Sequence, residues 1–558
     1  MCGIAGFVDL ELSNFSKINN QDVLKSLQHR GPDTSGCVSI NNVTFYHTRL
    51  QILELTDLGS QPMVSECGRY VLVYNGEIYN HLSLRKSIDK RVFNSNSDTE
   101  TLLYGLIQFG HQFIQKLNGM FAFAFYDSLE NKIILGRDRF GIKPLYYHNT
   151  QAIFSFSSEI KVFKDFGLSF NLDADNLEDY KVYKSSIESA TPFKGLKMLP
   201  LGHYLELNIS TNSIDLRPYI DLYSKKTYIK DSEETIVQHT HDLLKESLSG
   251  QLIADVPIGF FLSGGLDSSL LAAMAKRSFR MEHIACFTMN QQTAHLGFED
   301  DFPYAQMIST KYGFYSQYVD VPEDIDSIKE INRIVEEPIA DLSALNTYYI
   351  AQKAKENGVK VLISGLGADE VFGGYRRHVA IYVREKLHKY PNWFIKLICN
   401  LPITKNLKSI QRIQKLIEID NPEDHKFLVS LLSSKKYSEI SQLQKTKKIL
   451  RELELLEGSS LLEKILFLDQ KYYLASQNLL YTDKASMQHG VEVRVPYLDN
   501  ELIDYLSTVP DSLKVNGFVS KYLLKEVAKK YLPSVIIERS KTGFSLPISS
   551  LKVVEEFN

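Results

Sequence analysis

The sequence has few cysteines and no long apolar run. Its 558 residues include five cysteines, and no two of them form a CxxC pair. This scattered, odd-numbered set predicts neither a disulfide framework nor a structural zinc site. No apolar stretch approaches the roughly 18 to 20 residues that cross a bilayer. Asp9 and Glu11 also interrupt the apolar start too early for a secretory signal. We therefore expect a cytoplasmic protein with no membrane partner.

An excess of positive charge is missing as well. Charged residues make up 23% of the chain and the formal net charge is -4, so nothing predicts binding of nucleic acid. Hydrophobic residues reach 44%, as in ordinary globular proteins. A chain of this length exceeds the size at which one core keeps growing, so we expect at least two domains. We expect no nucleic-acid partner, and a homodimer is left open.

The pattern of apolar residues changes along the chain. Up to about residue 160, short alternating segments and tight turns predict an α+β domain with stacked antiparallel sheets. Later, apolar strands alternate with glycine turns and helices, which predicts an α/β domain with a parallel sheet and a mostly helical C-terminal part. We place the first domain at residues 2–205, a linker at 206–235 and the second domain at 236–558.

A candidate nucleophile stands at the second position. Removal of Met1 would leave Cys2 with both a thiol and a free α-amine, and such a residue can act as nucleophile with its own amine as base. A cysteine there is by itself more often a buried small side chain. If the substrate is a side-chain amide of a free amino acid, its hydrolysis also needs a cation for the α-carboxylate, an anion for the α-amine and donors for the oxyanion. The cation could be Arg49, the anion Asp98 or Glu77, and the donors Asn75 with the Gly76 amide. Taken singly, these residues could also be turns or surface charges.

Four separated blocks accompany these residues: MCGIAG, HRGPD, NGEIYN and GRDRFGIKPLYY. Over about the first 200 residues they resemble the class II glutamine amidotransferases, which are N-terminal-nucleophile hydrolases with an αββα sandwich. The resemblance implies that Cys2 is the nucleophile and that Asn75 and Gly76 assist catalysis. It also implies a glutamine pocket lined by Arg49, Asn75, Gly76, Glu77 and Asp98.

A second candidate site is the sequence SGGLDSS at 263–269, between an apolar strand and a helix. Glycine N–H groups, serine hydroxyls and a helix N-terminus together favour an anion, although such a turn is often only a tight connection. The GK[ST] ending of a kinase-type loop is absent, so transfer of a γ-phosphoryl group is not predicted. A second glycine motif, LISGLGADEVFGGY at 362–375, carries Asp369. Asp267 and Asp369 are candidate Mg²⁺ ligands, or Asp369 is only a helix N-terminal charge.

Two further blocks are TDKASMQHGVEVRVPYLDNELID at 482–504 and ERSKTGFSLPI at 538–548. With them, nearly the whole chain resembles the glutamine-hydrolysing asparagine synthetases, whose second half is an adenine nucleotide α-hydrolase-like ATP pyrophosphatase. The resemblance implies that ATP with Mg²⁺ adenylates an acceptor carboxylate, which ammonia from the first site then amidates. Implied metal ligands are Asp267 and Asp369. Implied ATP contacts are Leu262, Ser263, Gly264, Gly265, Asp267, Ser268, Met289, Ser364, Gly365, Lys484 and Lys541.

The chain departs from that family's pattern at the acceptor end. Where asparagine synthetases usually carry an acidic residue after SG, this chain has Leu366, which cannot accept a proton. The segment EEPIADLSALNTYY at 336–349 also has no arginine or lysine to hold an α-carboxylate. Aspartate stays the first choice of acceptor, with a sugar acid or a peptide carboxylate as the alternative. The family continues with further helices after 538–548, so we expect a shortened end to weaken the adenylate site.

A different class of function stays open at this point. Leu366 and the short C-terminal end also suit a non-catalytic protein that binds glutamine or nucleotide for regulation. Cys2, Asp267 and Asp369 favour an enzyme instead, because each is the residue that its reaction requires.

Overall fold

The structure is a computed structural model. No helix within its described part is long and apolar enough to cross a membrane. The described residues are 2–11, 18–89, 92–184, 189–222, 227–290, 301–322, 325–338, 341, 343–387, 424–433 and 435–539.

The strands of the first part form two antiparallel sheets of six strands each. The strand order is β10-β8-β9-β1-β3-β2 in one sheet and β12-β11-β7-β6-β5-β4 in the other. The strands are β1 (Cys2–Asp9), β2 (Thr34–Ile40), β3 (Val43–Arg49), β4 (Met63–Val64), β5 (Tyr70–Ile78), β6 (Gly119–Asp127), β7 (Lys132–Arg137), β8 (Tyr146–Asn149), β9 (Ile153–Ser157), β10 (Leu196–Met198), β11 (His203–Asn208) and β12 (Ser213–Pro218).

The two sheets pack face to face, and helices cover their outer faces. Ile4, Val73 and Phe156 belong to the apolar layer between the sheets. One outer face packs against α1 and α4, and the other against α2 and α3. The layers therefore run helix, sheet, sheet, helix. The helices of this part are α1 (Asn20–Leu27), α2 (His81–Arg85), α3 (Asp98–Phe109), α4 (Val162–Asp165) and α5 (Ala174–Tyr183).

Alternation along the central strands decides which residues face the space between the sheets. Val71 and Val73 of β5 point into the layer between the sheets, whereas Leu72 and Tyr74 point to the outer helices. Since side chains alternate along a strand, Asn75 and Glu77 follow Val71 and Val73 to the inner face. By the same alternation, Cys2 shares the inner face with Ile4 and Val8 of β1, and Arg49 shares it with Val43 and Phe45 of β3.

The stretch predicted as a linker begins inside the second sheet. β11 pairs with β7 from Tyr204 to Asn208, and β12 pairs with β11 up to Pro218. Residues 206–218 are thus strands rather than a free connection, because their apolar side chains Leu207 and Ile214 complete the core between the sheets. Among the described residues, the next helix starts at Glu233.

A five-stranded parallel sheet forms the second half, as predicted. Its strands are β13 (Ile258–Phe261), β14 (Ala285–Met289), β15 (Tyr315–Val319), β16 (Val361–Ile363) and β17 (Glu492–Arg494). They lie in the order β15-β14-β13-β16-β17, with every pairing parallel. The chain first builds outward from β13 and then returns to its other side with β16. Ligands of such sheets bind where this order reverses, beyond the carboxyl ends of the strands.

Helices cover both faces of this sheet. α6, α7, α18 and α20 pack on one face with Phe260 and Ile363, and α10 packs on the other with Phe287 and Leu362. A π-helix at Asp469–Leu479 leads directly into α17. The helices are α6 (Glu233–Gln251), α7 (Leu266–Ser278), α8 (Phe302–Tyr312), α9 (Ile325–Val335), α10 (Ser343–Glu356), α11 (Ala368–Phe372), α12 (Arg376–Leu387), α13 (Asp424–Ser433), α14 (Tyr437–Ile440), α15 (Gln444–Leu455), α16 (Leu461–Leu468), α17 (Leu480–Met487), α18 (Asn500–Leu506), α19 (Asp511–Lys514), α20 (Tyr522–Ala528) and α21 (Ser534–Ile537).

Candidate active sites

Cys2 is buried at the start of β1 and is held on both sides of its backbone. Its N–H donates to Asn75 Oδ1 at 3.0 Å, and its carbonyl accepts from Arg30 Nε at 3.1 Å. Burial raises the pKa of the Cys2 thiol, although the charges of the N-terminus and of Arg49 and a backbone bond from Leu50 act in the opposite direction. The thiol is therefore mostly protonated, and it needs a base before it can attack.

Asn75 places a spare donor beside Cys2. Its Oδ1 is taken by Cys2, and its buried Nδ2 has no hydrogen-bond partner among the described residues. A buried amide N–H next to a nucleophile suits the oxyanion of a tetrahedral intermediate. The neighbouring Gly76 is also required by packing, because a Cβ there would lie 2.1 Å from the Met120 carbonyl oxygen on β6.

Arg49 lies directly opposite Cys2 in the pairing of β3 with β1. Its guanidinium donates to the carbonyls of Thr56 at 2.9 Å and Leu53 at 3.4 Å, and also to the carbonyl of Glu54. The cation is thus fixed by the loop that follows β3. A glutamine carboxylate would have to share it with these carbonyls.

Asp98 and Glu77 lie beside each other but have different partners. Asp98 Oδ2 accepts from Tyr74 Oη at 2.7 Å and from the Ile78 N–H at 2.9 Å. Glu77 pairs with Arg494 of β17 at 3.1 Å, across the boundary between the two sheet systems. Burial and then the Asp98 charge raise the pKa of Glu77 well above its usual value, and Arg494 opposes them. Sequence reasoning missed Arg494, although a charged residue inside the apolar strand VEVRVP signals a buried partner.

The SGGLDSS loop connects β13 to α7. Ser263 Oγ lies 3.1 Å from Ser268 Oγ, and the Gly265 N–H donates to Ser263 Oγ at 3.3 Å. Gly264 has φ +69°, and a Cβ there would lie 2.4 Å from the Ala305 nitrogen, so only glycine fits. Leu262 ends the strand side of this loop and is buried, while Met289 ends the neighbouring β14 and is half-buried.

The second glycine motif touches this loop. A Cβ on Gly365 would lie 3.0 Å from both Asp267 Cβ and the Ser268 nitrogen. Ser364, after β16, and the SGGLDSS loop, after β13, therefore meet where the strand order reverses. Leu366 is half-buried, with its side chain against the apolar cluster that also contains Leu498.

Asp267 and Asp369 share one cation. Lys521 Nζ lies 2.7 Å from Asp267 Oδ2 and 2.6 Å from Asp369 Oδ1. Although burial lowers it, the two carboxylates raise the pKa of Lys521 above its usual value. Lys521 was not predicted, because no motif distinguishes it from the other lysines of its segment. Two negative charges against one leave the pair able to hold a further cation.

The donor set at this point fits Mg²⁺ bound together with phosphates. No group of three or more His, Cys, Asp or Glu side chains that could hold a metal ion occurs in the part of the chain the structure describes. Mg²⁺ is commonly held by one or two carboxylates and completed by phosphate oxygens and water. Asp267 and Asp369 supply such a pair.

Two lysines were predicted to contact the nucleotide. One of them, Lys484, is bound to other partners. Lys484 Nζ lies 2.8 Å from Glu159 Oε2, 2.8 Å from Glu336 Oε2 and 3.2 Å from the Ser158 carbonyl. A phosphate could use this ammonium only if it left both carboxylates. Lys541 lies outside the described residues.

Comparison with known proteins identifies both halves. The family of glutamine amidotransferase domains matches residues 1–220, and the asparagine synthase family matches residues 239–557. Glutamine-hydrolysing asparagine synthetase 1 of Bacillus subtilis is 29% identical over 98% of this chain and 87% of its own length. Asparagine synthetase 3 of the same organism is 28% identical over the same shares. Amidase chyE of Penicillium rubens is 29% identical over 98% of this chain and 89% of its own length.

These matches define the class of protein as an ATP-dependent ligase that uses glutamine. The chain belongs to the family of glutamine-hydrolysing asparagine synthetases. The resemblance seen in the sequence blocks is thereby confirmed, and ATP is a substrate of this family.

Proposed function

We propose that this protein hydrolyses glutamine at Cys2, adenylates a carboxylate with ATP and amidates it with the released ammonia, and that the carboxylate is that of aspartate. The observation that carries the proposal is the pair Asp267 and Asp369, which meet at one cation beside the SGGLDSS loop. A protein that only binds nucleotide has no need of two converging, partly buried carboxylates, since holding two like charges close together is costly.

The first reaction is assigned to the inner face of the sandwich. The free α-amine of Cys2 takes the thiol proton, and Sγ attacks the side-chain amide carbon of glutamine. Asn75 Nδ2 and the Gly76 N–H stabilise the oxyanion. The C–N bond breaks, ammonia leaves, and water then hydrolyses the thioester to glutamate. Arg49 holds the substrate carboxylate, and the substrate amine faces Asp98 and Glu77.

The second reaction is assigned to the carboxyl ends of β13 and β16. The loop 263–269 binds the ATP phosphates, while Leu262, Met289, Ser364 and Gly365 flank the nucleotide. Asp267 and Asp369 would hold Mg²⁺, which when bound would offset the negative charge that develops on pyrophosphate. Lys521 keeps the two carboxylates together. An oxygen of the acceptor carboxylate attacks the α-phosphorus, pyrophosphate leaves, and ammonia later displaces AMP.

Ammonia must pass from one half to the other. Met120, Phe140 and Ile142 of the first part pack in the same apolar cluster as Leu366 and Leu498 of the second. An apolar contact favours neutral ammonia over the ammonium ion, because a charge is costly to bury. This cluster is the route we assign, and it ends beside Leu366.

Leu366 bears most directly on the identity of the acceptor. A chain that adenylates aspartate normally has a carboxylate there to assist ammonia. A relative of equal similarity carries the name amidase chyE, so another carboxylic acid is the second candidate. Both candidates share the first reaction and differ only in the last amide formed.

The test is asparagine formed per AMP with aspartate as sole acceptor, for the unmodified protein and for Leu366→Glu. If aspartate is the substrate, the restored carboxylate should raise the rate of asparagine formation by about 10²-fold or more, since proton transfer of this kind is worth about 10² to 10⁴. Leu366→Gln is the control, because glutamine has the same shape as glutamate but carries no charge. No asparagine from any of the three proteins would remove aspartate as the acceptor.

A further inference from the structure

Six charged side chains meet where the two halves of the molecule join. Arg30, Lys143 and Glu159 come from the first half, and Glu336, Asp483 and Lys484 from the second. Arg30 pairs with Glu159 and Asp483 at 2.7 Å each, and Lys143 pairs with Asp483 at 3.3 Å. Three positive and three negative charges balance, and all six side chains are at most 8% exposed. Removing one partner therefore leaves an opposite charge buried.

One path through this cluster begins at the nucleophile. Arg30 Nε holds the Cys2 carbonyl at 3.1 Å, while its Nη1 pairs with Glu159 Oε1. The other oxygen of Glu159 pairs with Lys484 Nζ at 2.8 Å, and the same Nζ pairs with Glu336 at 2.8 Å. Four side chains thus connect the backbone of Cys2 to the start of the segment 336–349.

Glu336 is held in an unusual conformation by the first half. Its φ is +63°, a left-handed backbone value that residues other than glycine rarely adopt. Its carboxylate accepts from the backbone N–H groups of Ile160 at 2.6 Å and Lys161 at 3.0 Å, directly after Glu159. The conformation at the start of 336–349 is therefore tied to contacts across the boundary, since such strain persists only where surroundings impose it.

We propose that Lys484 is a positioning residue that couples the glutamine site to the described residues of 336–349, here called the acceptor segment, through its bridge between Glu159 and Glu336. This inference rests on the proposed function, because it assumes that Cys2 hydrolyses glutamine and that the acceptor binds at this segment, as the resemblance to the family implies. It differs from the phosphate contact that the sequence resemblance implies for Lys484. Coupling between binding free energies is reciprocal, so occupation of either site changes the affinity of the other site for its ligand by the same factor.

The first experiment loads the glutamine site and observes the acceptor segment. Cys2 is alkylated with the glutamine analogue 6-diazo-5-oxo-L-norleucine, and hydrogen exchange of the peptide 343–356 is measured before and after. In the protein without any substitution, alkylation should change the exchange rate of this peptide by about fivefold or more, the lower range of allosteric coupling. Glu336→Gln should lose most of this change. Glu330→Gln should keep it, since Glu330 forms an exposed ion pair with Arg333 on α9 and takes no part in the bridge through Lys484.

The second experiment loads the other site. The kcat and KM for glutamine are measured with and without ATP, Mg²⁺ and aspartate. Glu336→Gln should retain its kcat without ATP and lose the effect of the added substrates. Lys484→Met should lose it too, and Lys484→Arg should restore part of it by keeping the charge. Thermal unfolding of each variant shows whether the fold is intact.

The inference is wrong if Glu336→Gln responds as the unmodified protein does in both experiments. It is also wrong if Lys484→Met raises the KM for ATP tenfold with ammonium as nitrogen source yet keeps the response, because Lys484 would then contact phosphate. An unmodified protein that responds in neither experiment overturns it as well. Failure of the proposed function is seen separately, as absence of glutamate or of pyrophosphate from the unmodified protein.

Discussion

The glutamine end and the nucleotide end of this protein are built in different ways. At the glutamine end the candidate residues Cys2, Arg49, Asn75 and Glu77 lie on the inner faces of paired strands, two residues apart where they share a strand. At the nucleotide end the candidate residues lie in loops after β13 and β16. The carboxylates there are held together by Lys521, which is 254 residues from Asp267 along the chain.

This difference shows how each site depends on its surroundings. Strand geometry fixes the direction of Cys2 and Asn75, so that site depends on which atoms the side chains carry. The loops at the other end are positioned by glycines that touch neighbouring backbone, and that site depends on a balance of charge between Asp267, Asp369 and Lys521. The two ends should therefore respond separately to substitution, apart from the coupling through Lys484.

The strongest test of that separation is Cys2→Ala. Glutamine hydrolysis should fall by about 10⁴-fold or more, the scale seen when a covalent nucleophile is removed. Formation of the amide from added ammonium salts should continue, since the second site does not use the thiol. Glutamate and AMP are measured in parallel. Substantial glutamate formation by the variant would refute the assignment of Cys2.

The converse test replaces Asp267 or Asp369 by Asn. Release of pyrophosphate should fall by more than about 10²-fold, because loss of even an outer partner of a metal site costs 10- to 100-fold. Glutamine hydrolysis should remain. Asp215→Asn is a matched control, since Asp215 forms an exposed pair with Arg217. If both variants release pyrophosphate at the normal rate, neither carboxylate holds the metal.

A smaller effect concerns pH at the glutamine end. Burial lowers the pKa of His47 from about 6.5 to about 3. As pH falls below about 6.5, the unfolded chain gains a proton that folded His47 does not, so the free energy of unfolding decreases by about 1.4 kcal/mol per pH unit. The contribution is complete above pH 6.5 and is lost progressively towards pH 3.

His47→Gln should remove this contribution and keep a donor towards the Tyr74 carbonyl. Between pH 7 and pH 5 its unfolding free energy should fall by about 2 kcal/mol less than that of the unmodified protein. Urea unfolding at the two pH values measures the difference, with the exposed His111→Gln as control. Equal losses in all three proteins would contradict the pKa of His47.

Much of the architecture was predictable from local patterns. Alternation in the first half and strand, glycine turn and helix in the second predicted antiparallel sheets and a parallel sheet, because both patterns report which side chains a strand buries. The linker prediction at 206–235 was wrong over 206–218, which contain β12 and the end of β11. β12 is a mostly exposed edge strand with few apolar residues, and the pairing of β11 with the distant β7 is a tertiary contact. The placement of Cys2, Asn75 and the SGGLDSS loop followed from motifs, and the roles of these residues stay predictions.

The sequence by itself determined the family and the departure at Leu366, and it predicted the two chemistries, since each of these is carried by short runs of contiguous residues. Only the tertiary structure decided that Lys521 joins Asp267 to Asp369, that Arg494 reaches Glu77, and that Lys484 lies between Glu159 and Glu336. Each of these contacts joins residues far apart in the chain. A buried charge needs some opposite charge nearby, but nothing in the sequence says which one, because that choice is made by the packing of the two halves.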